Sequence, residues 1–308
     1  MNVNAPYPTP FQNDELPLSE WLSTGKNWIE AALSEALPAA NERPEVLHEA
    51  MRYACLGGGK RLRGILALTV CQTLGAEASR ALRPALALEA FHAYTLIHDD
   101  LPCMDDDAIR RGKAATHIQF GEANALLAGD ALLTLACQWL AETHAPLPHP
   151  PAALVTELTT AGGSRGVIGG QVEDLAAESR PPEEDVLLYI HTEKTARLIS
   201  CACRMGAIAA GACASKVDVI GRYGLHVGLA FQMIDDLLDA TADTRALGKP
   251  AGSDAKNQKL TTVRLWGIEK SRAEAERHTR LALEALAQLE QPTGRLQDLT
   301  RHLIMRDF

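Results

Sequence analysis

Apolar residues recur three and four positions apart along most of the chain, and runs that alternate polar with apolar are scarce. That period belongs to helices whose one face packs inward, not to strands. The pattern predicts helices over about 19–37, 44–56, 61–75, 83–101, 122–143, 151–160, 166–178, 183–213, 215–243, 257–290 and 295–306. Ser19 is placed to cap the first, and Pro38 stops it. The breaks carry glycine or proline: GGGKR at 57–61, HAPLPHPP at 144–151, SRPPEED at 179–185 and LGKPAGSD at 247–254. No stretch reads as an interdomain linker, and no repeat occurs at a solenoid period. The expectation is an all-α fold, a single bundle of about ten or more helices over residues 19–308, with residues 1–18 as a disordered or loosely packed extension.

Composition supports this reading. Of 308 residues, 46% are hydrophobic and only 5% aromatic, with alanine and leucine dominant, enough for one large core of strong helix formers. A net charge of −9 and a pI near 5.6 argue against nucleic acid as the main partner. The opening MNVNAPYPTPFQNDELP lacks the basic and apolar regions of a signal peptide. The small-apolar stretch 198–215 carries Arg204 and reads as a buried packing helix, not a membrane span. Seven cysteines, an odd number without CxxC spacing, suit a reducing compartment, so a cytoplasmic location is expected.

Charge patterning changes the picture at two places. HDDLPCMDDD at 98–107 crowds five aspartates around an apolar insert, and Pro102 forbids a continuous helix through it. FQMIDDLLD at 231–239 puts Asp235 and Asp239 one turn apart on one face, between apolar turns. Like charges in such settings call for a cation, and hard divalent metals take carboxylate oxygens together with substrate phosphates. The two clusters lie about 135 residues apart, each entered by an apolar helix, as opposing walls of one site would be. In GGGKRLR at 57–63, a glycine-rich turn before a helix start offers Lys60, Arg61 and Arg63 to an anion. Arg110, Arg111, Lys194, Lys249 and Lys259 add further bases, a set that fits a magnesium–diphosphate ligand.

With these residues in view, the chain resembles the trans-prenyl diphosphate synthases, most similarly the bacterial farnesyl diphosphate synthases. The resemblance runs from about residue 31 to the C-terminal LIMRDF. It is carried by DDxxxxD at Asp99, Asp100 and Asp105 with RRG at 110–112, and by DDxxD at Asp235, Asp236 and Asp239. GGKRxR at 58–63, HAYTLIHDD at 92–100, FGEANALLAGDAL at 120–132, GGQ at 169–171, EKT at 193–195 and GKxxGSD at 248–254 also match. It implies an isoprenoid synthase bundle around a central cavity, a homodimer, and three magnesium ions bridged by substrate, with manganese as a substitute. Asp99, Asp105 and Asp235 would be the main metal ligands, supported by Asp100, Asp236 and Asp239. Gly59, Lys60, Arg63, His92 and Arg111 would hold isopentenyl diphosphate. Arg110, Lys194, Lys249 and Lys259 would hold the allylic diphosphate, and Thr195 and Gln232 would face the developing carbocation. The implied reaction is head-to-tail condensation of isopentenyl diphosphate with dimethylallyl or geranyl diphosphate to farnesyl diphosphate. A geranylgeranyl diphosphate synthase and a non-catalytic regulatory subunit are the alternatives. Tyr94, with Thr95 and Phe91 on the helix before Asp99, would set product length by flooring the cavity.

The chain departs from the family pattern at four places: Gly64 for a proline, Ala108 for an aspartate, Ala114 for a proline, and KLTTV at 259–263 for KxTYP. Two Glu-x-x-His pairs, Glu45/His48 and Glu89/His92, raise a di-iron reading that leaves both aspartate clusters unexplained. A terpene cyclase would not need Lys60, Arg63 and His92. His98 and His117 read as structural.

Overall fold

The computed structural model describes residues 16–241 and 259–304. The helices are α1 (Leu18–Ala36), α2 (Glu45–Leu56), α3 (Leu62–Thr73), α4 (Leu82–Asp99), α5 (Thr116–Phe120), α6 (Glu122–Ala141), α7 (Ala153–Gly162), α8 (Val167–Ala177), α9 (Glu184–Ile190), α10 (Arg197–Ala209), α11 (Ala214–Thr241), α12 (Thr262–Leu286) and α13 (Gly294–Ile304). A two-stranded hairpin, β1 (Ile109–Arg110) with β2 (Lys113–Ala114), is the only sheet among the described residues. The all-α expectation holds. The extension at 1–15, the GKxxGSD segment with Lys249, and residues 305–308 lie outside the described residues.

Two helices are buried on nearly every side, as all-round apolar sequence demands. In α3 the run Gly64–Cys71 is buried without a break, and in α10 all of Leu198–Ala209 is buried except Arg204. They cross at Gly206, where a side chain would run into the Ala67 carbonyl. Trp21, Trp28, Ile29 and Leu33 of α1 close the core from one side. On the other, α4 packs on α6, and α11 packs along α12 over most of its length. By length and apolarity, α6 is the one helix among the described residues that could cross a membrane, yet its Ala125, Ala128, Leu132, Ala136 and Leu140 are buried within the bundle.

Several boundaries differ from the sequence expectation. Ser19 lies inside α1, which starts after Pro17 without a side-chain cap. The predicted helix 183–213 is divided by a π-helical segment at His191–Ala196. The predicted helix 257–290 starts at Thr262, capped by the Thr261 hydroxyl, and carries a non-helical Gly267. Neither interruption carries a proline and each lies within a long run of helix formers, so neither stood out in the sequence.

The α3–α10 crossing gives a direct test. Gly206→Val should cost roughly 3 kcal/mol or more in urea unfolding, because backbone must move to admit the side chain. Gly294→Ala, with open space around it, should stay within about 0.5 kcal/mol of the parent.

Candidate active site

The glycine-rich turn before α3 is held from within by Arg61. This residue takes a left-handed backbone (φ 52°) and is 3% exposed. Its guanidinium donates to the Cys55 carbonyl at 2.6 Å and pairs with Glu30 (3.3 Å) and Glu89 (3.5 Å). Arg61 is therefore an internal strut, and it leaves Lys60 and Arg63 to line the cavity. Gly64, where the family has proline, donates its backbone N–H to Glu89 Oε1 at 2.9 Å, a bond proline could not make. Glu89 is thus used structurally, while His48 bonds the Glu42 carbonyl, so neither half of the di-iron reading is organised as a metal site.

Burial lowers the Arg63 pKa to about 10, Glu89 opposing and Arg111 adding to the effect, and its buried Nε has no hydrogen-bond partner. His92 beside it is held well below the ordinary imidazole value, by desolvation and then by Arg63, Arg111, Arg110 and Arg61. A neutral imidazole and an orphaned guanidinium N–H beside Lys60 are what an incoming anion would complete. Arg111 sits apart from the main cavity. It and Gly112 both have positive φ (54° and 74°), a type I′ turn joining β1 to β2, and its guanidinium bonds Gly58 O. Gly59 is bare because a side chain there would meet that guanidinium at 2.9 Å.

The first aspartate cluster folds as the insert requires. α4 ends at Asp99, and the chain turns back so that the Asp105 N–H donates to the Asp99 carbonyl at 2.9 Å. Asp99 lines the cavity, and its pKa is raised to about 6, mainly by desolvation, with Asp105 and Asp100 adding repulsion against Lys194 and Arg110. Asp100 turns away from the cavity lining, 2% exposed, into a fork with Arg110, which also reaches Asp107 at 3.1 Å. Asp105 pairs with Lys259 at 2.8 Å. The same ammonium reaches Asp174 Oδ2 at 3.0 Å and Glu178 Oε1 at 2.7 Å, and Lys194 meets that Asp174 oxygen at 2.6 Å.

The second cluster divides its labour. Asp235 lines the cavity, whereas Asp236 and Asp239 are buried, 3% and 6% exposed. Both oxygens of Asp236 are engaged: Oδ1 accepts from Gln232 Nε2 (2.9 Å), and Oδ2 from the Thr262 N–H (2.7 Å) and hydroxyl (3.1 Å), with His191 Nε2 at 3.3 Å. Gln232 Oε1 in turn accepts from the Thr195 hydroxyl at 2.9 Å. The altered KLTTV segment therefore still ties α12 to the second cluster, through Thr262 in place of the family's tyrosine. The π segment presents Lys194 and Thr195 together, and Gly170 of α8 lets its backbone approach closely.

These groups surround one cavity of about 1040 Å³. Lys60, Arg63, His92, Asp99, Arg110, Lys194, Thr195, Gln232 and Asp235 all line it, from five separate stretches, whereas Gly59, Asp105, Arg111, Asp239 and Lys259 are not among its lining residues. Its remaining wall is largely apolar, including Leu96, Leu133, Val172, Leu175, Leu198 and Phe231. Tyr94 and Thr95 are lining residues; Phe91 lies behind Tyr94, ring edge to face at 4.7 Å, packed against Gly162. His98 bonds the Leu126 carbonyl, and His117 is buried. Sequence reasoning missed Asp174, Glu178 and His191, and had Gln171 only within the GGQ match and Thr262 only within the KLTTV departure, with no role for either. For Asp174 and Glu178 the signal was the acidic positions in VEDLAAE at 172–178, at the C-terminal end of α8.

The donor set fits magnesium. Asp99, Asp105 and Asp235 offer hard carboxylate oxygens, and positive ammonium groups already sit among them. Gln171, whose buried Nε2 has no partner, lies on the same wall.

A family model described as polyprenyl synthetase matches residues 44–299. The chain belongs to the polyprenyl synthetase family. Among curated relatives, it is 42% identical over 263 residues to geranylgeranyl pyrophosphate synthase 11 of Arabidopsis thaliana, covering 84% of this chain and 73% of that one. It is 40% identical over 272 residues to the large subunit 1 of an A. thaliana heterodimeric geranylgeranyl pyrophosphate synthase, covering 86% and 73%. Among solved structures, an FPP/GFPP synthase from Zymomonas mobilis in its apo form superposes with a TM-score of 0.81 at 35% identity, covering 93% of this chain and 98% of that one. The isoprenoid synthase architecture and membership among prenyltransferases follow.

Asp99 supplies a test of these electrostatics. In the metal-free protein its folded pKa lies above the ordinary value of 3.8, so its ionisation opposes folding as pH rises through about 6. Asp99→Asn should then raise the melting temperature by roughly 2–5 °C at about pH 8, and the gain should vanish as pH falls to about 4. A gain that persisted in acid would contradict this account.

Proposed function

We propose that the protein condenses isopentenyl diphosphate with an allylic diphosphate to give a longer trans-prenyl diphosphate. The observation that carries the reading is the meeting, in one apolar-walled cavity, of a basic pocket at Lys60, Arg63 and His92 with two aspartate clusters and Lys194. A terpene cyclase has no use for the first pocket, and a non-catalytic subunit has none for cavity-facing carboxylates on both sides.

Each residue group has a task in this reaction. Asp99, Asp105 and Asp235 would hold magnesium, or manganese in its place, which supplies positive charge to the allylic diphosphate. Lys194, Arg110 and Lys259 bring cationic groups to the same end and favour departure of the diphosphate. The apolar wall keeps water from the allylic cation. Thr195 and Gln232, joined by the Thr195 hydroxyl donating to Gln232 Oε1, line the cavity, and their oxygens would stabilise that cation. The basic pocket orients isopentenyl diphosphate so that its double bond attacks the cation. The proton lost afterwards passes to the released diphosphate, a base that the reaction itself sets free in the cavity. A second copy of the chain is the expected partner, supported by Leu126 and Leu127 of α6 and Ile118 of α5, exposed large apolar residues.

For product length, the names of the relatives favour geranylgeranyl diphosphate, C20, and this is the leading reading. Farnesyl diphosphate, C15, is the second, favoured by one observation: the Tyr94 ring lies in the cavity wall, backed by Phe91, on the helix that leads to Asp99.

Purified protein incubated with magnesium, labelled isopentenyl diphosphate and dimethylallyl, geranyl or farnesyl diphosphate should give a condensation product. Asp99→Ala or metal removal should lower the rate by about a hundredfold or more. Elongation of farnesyl diphosphate supports C20, and arrest at C15 supports the Tyr94 floor. No condensation with any primer would refute the reading.

Tyr94→Ala separates the two products further. If Tyr94 is the floor, this variant should lengthen the product by at least one five-carbon unit; an unchanged chromatogram removes the floor.

A further inference from the structure

We infer that Lys259 is a resident counter-cation of the first aspartate cluster, which a divalent metal must displace, and that Glu178 takes the displaced ammonium. The inference rests on the synthase reading and deepens it.

The ammonium group of Lys259 has three protons and meets three carboxylates, Asp105 at 2.8 Å, Asp174 at 3.0 Å and Glu178 at 2.7 Å. Its side chain is only 11% exposed, so these partners, not water, satisfy it. It joins the start of α12 to the insert after α4 and to α8, elements far apart in sequence. Asp105 is one of the oxygens expected to bind metal. A cation already on that oxygen opposes a second cation in two ways: it occupies an oxygen, and it repels. Lys194 shares the same Asp174 oxygen, so two ammonium groups crowd one carboxylate at that corner. An incoming diphosphate relieves the crowding, because it offers both ammonium groups new oxygens. Metal and diphosphate should therefore load together, and metal alone poorly. Glu178 differs from Asp105 and Asp174: its side chain is 34% exposed, at the rim, so it can keep the ammonium without closing the site.

The test measures metal binding without catalysis. Free Mn2+ is followed by its EPR signal as it is titrated into the metal-free full-length protein, with and without inorganic diphosphate. Lys259→Met should bind Mn2+ about tenfold more tightly than the parent without diphosphate, the scale of one partly buried ion pair, and the difference should shrink when diphosphate is present. Lys259→Arg, which keeps the charge, should stay near the parent. Glu178→Gln should bind Mn2+ more weakly, since the ammonium has lost its second seat. A structural role alone would move the Met and Gln variants in the same direction. Equal or weaker binding in Lys259→Met would overturn the inference; if that variant does not fold, unchanged or tighter binding in Glu178→Gln would do so. Asp105→Asn keeps the two readings apart: if it leaves Mn2+ binding with diphosphate untouched, the carboxylate metal site itself is refuted.

Discussion

The whole site turns on holding carboxylates charged against an apolar cavity. A lone ionised carboxylate in such a place would take a proton instead, and Asp99 is already pushed part of the way there. The surrounding structure answers with cations and N–H donors brought from distant segments. Arg110 returns on the hairpin to hold Asp100, Lys259 comes from before α12 to Asp105, and Thr262 from its first turn to Asp236. The helices are placed so that these meetings happen, and the buried α3 and α10 give them a rigid back wall.

Much of this was legible in the sequence because the signals are local. Aspartates spaced by an apolar insert announce a turn back toward Asp99, and the Asp105 N–H bonding the Asp99 carbonyl is that turn. What was not legible depends on long-range pairing. That Asp100 and Asp236 serve as internal ties, while Asp99 and Asp235 face the cavity, follows from which partners surround them: Arg110 in one case, Thr262, Gln232 and His191 in the other. Neighbouring aspartates look alike in a motif. Asp174 was missed for the same reason, since only the fold brings two lysines to it.

Two of the four departures from the family pattern are locally compensated. Gly64 offers an N–H where proline has none, and Glu89 uses it while also bracing Arg61. Thr262 and Thr261 keep the start of α12 capped and joined to Asp236 without tyrosine or proline. In both places a backbone N–H carries the contact, and at 64 it is available only because the residue is not proline.

The π segment between α9 and α10 has a consequence for evolution of the chain. One extra residue per turn shifts the phase of everything after it relative to what precedes it. A single-residue deletion there would give a better hydrogen-bonded helix and a smoother sequence period, while swinging Lys194 or Thr195 off the cavity wall. Selection at this point therefore acts on the number of residues as well as on their kind, and a local gain in helix quality is a route to losing the site.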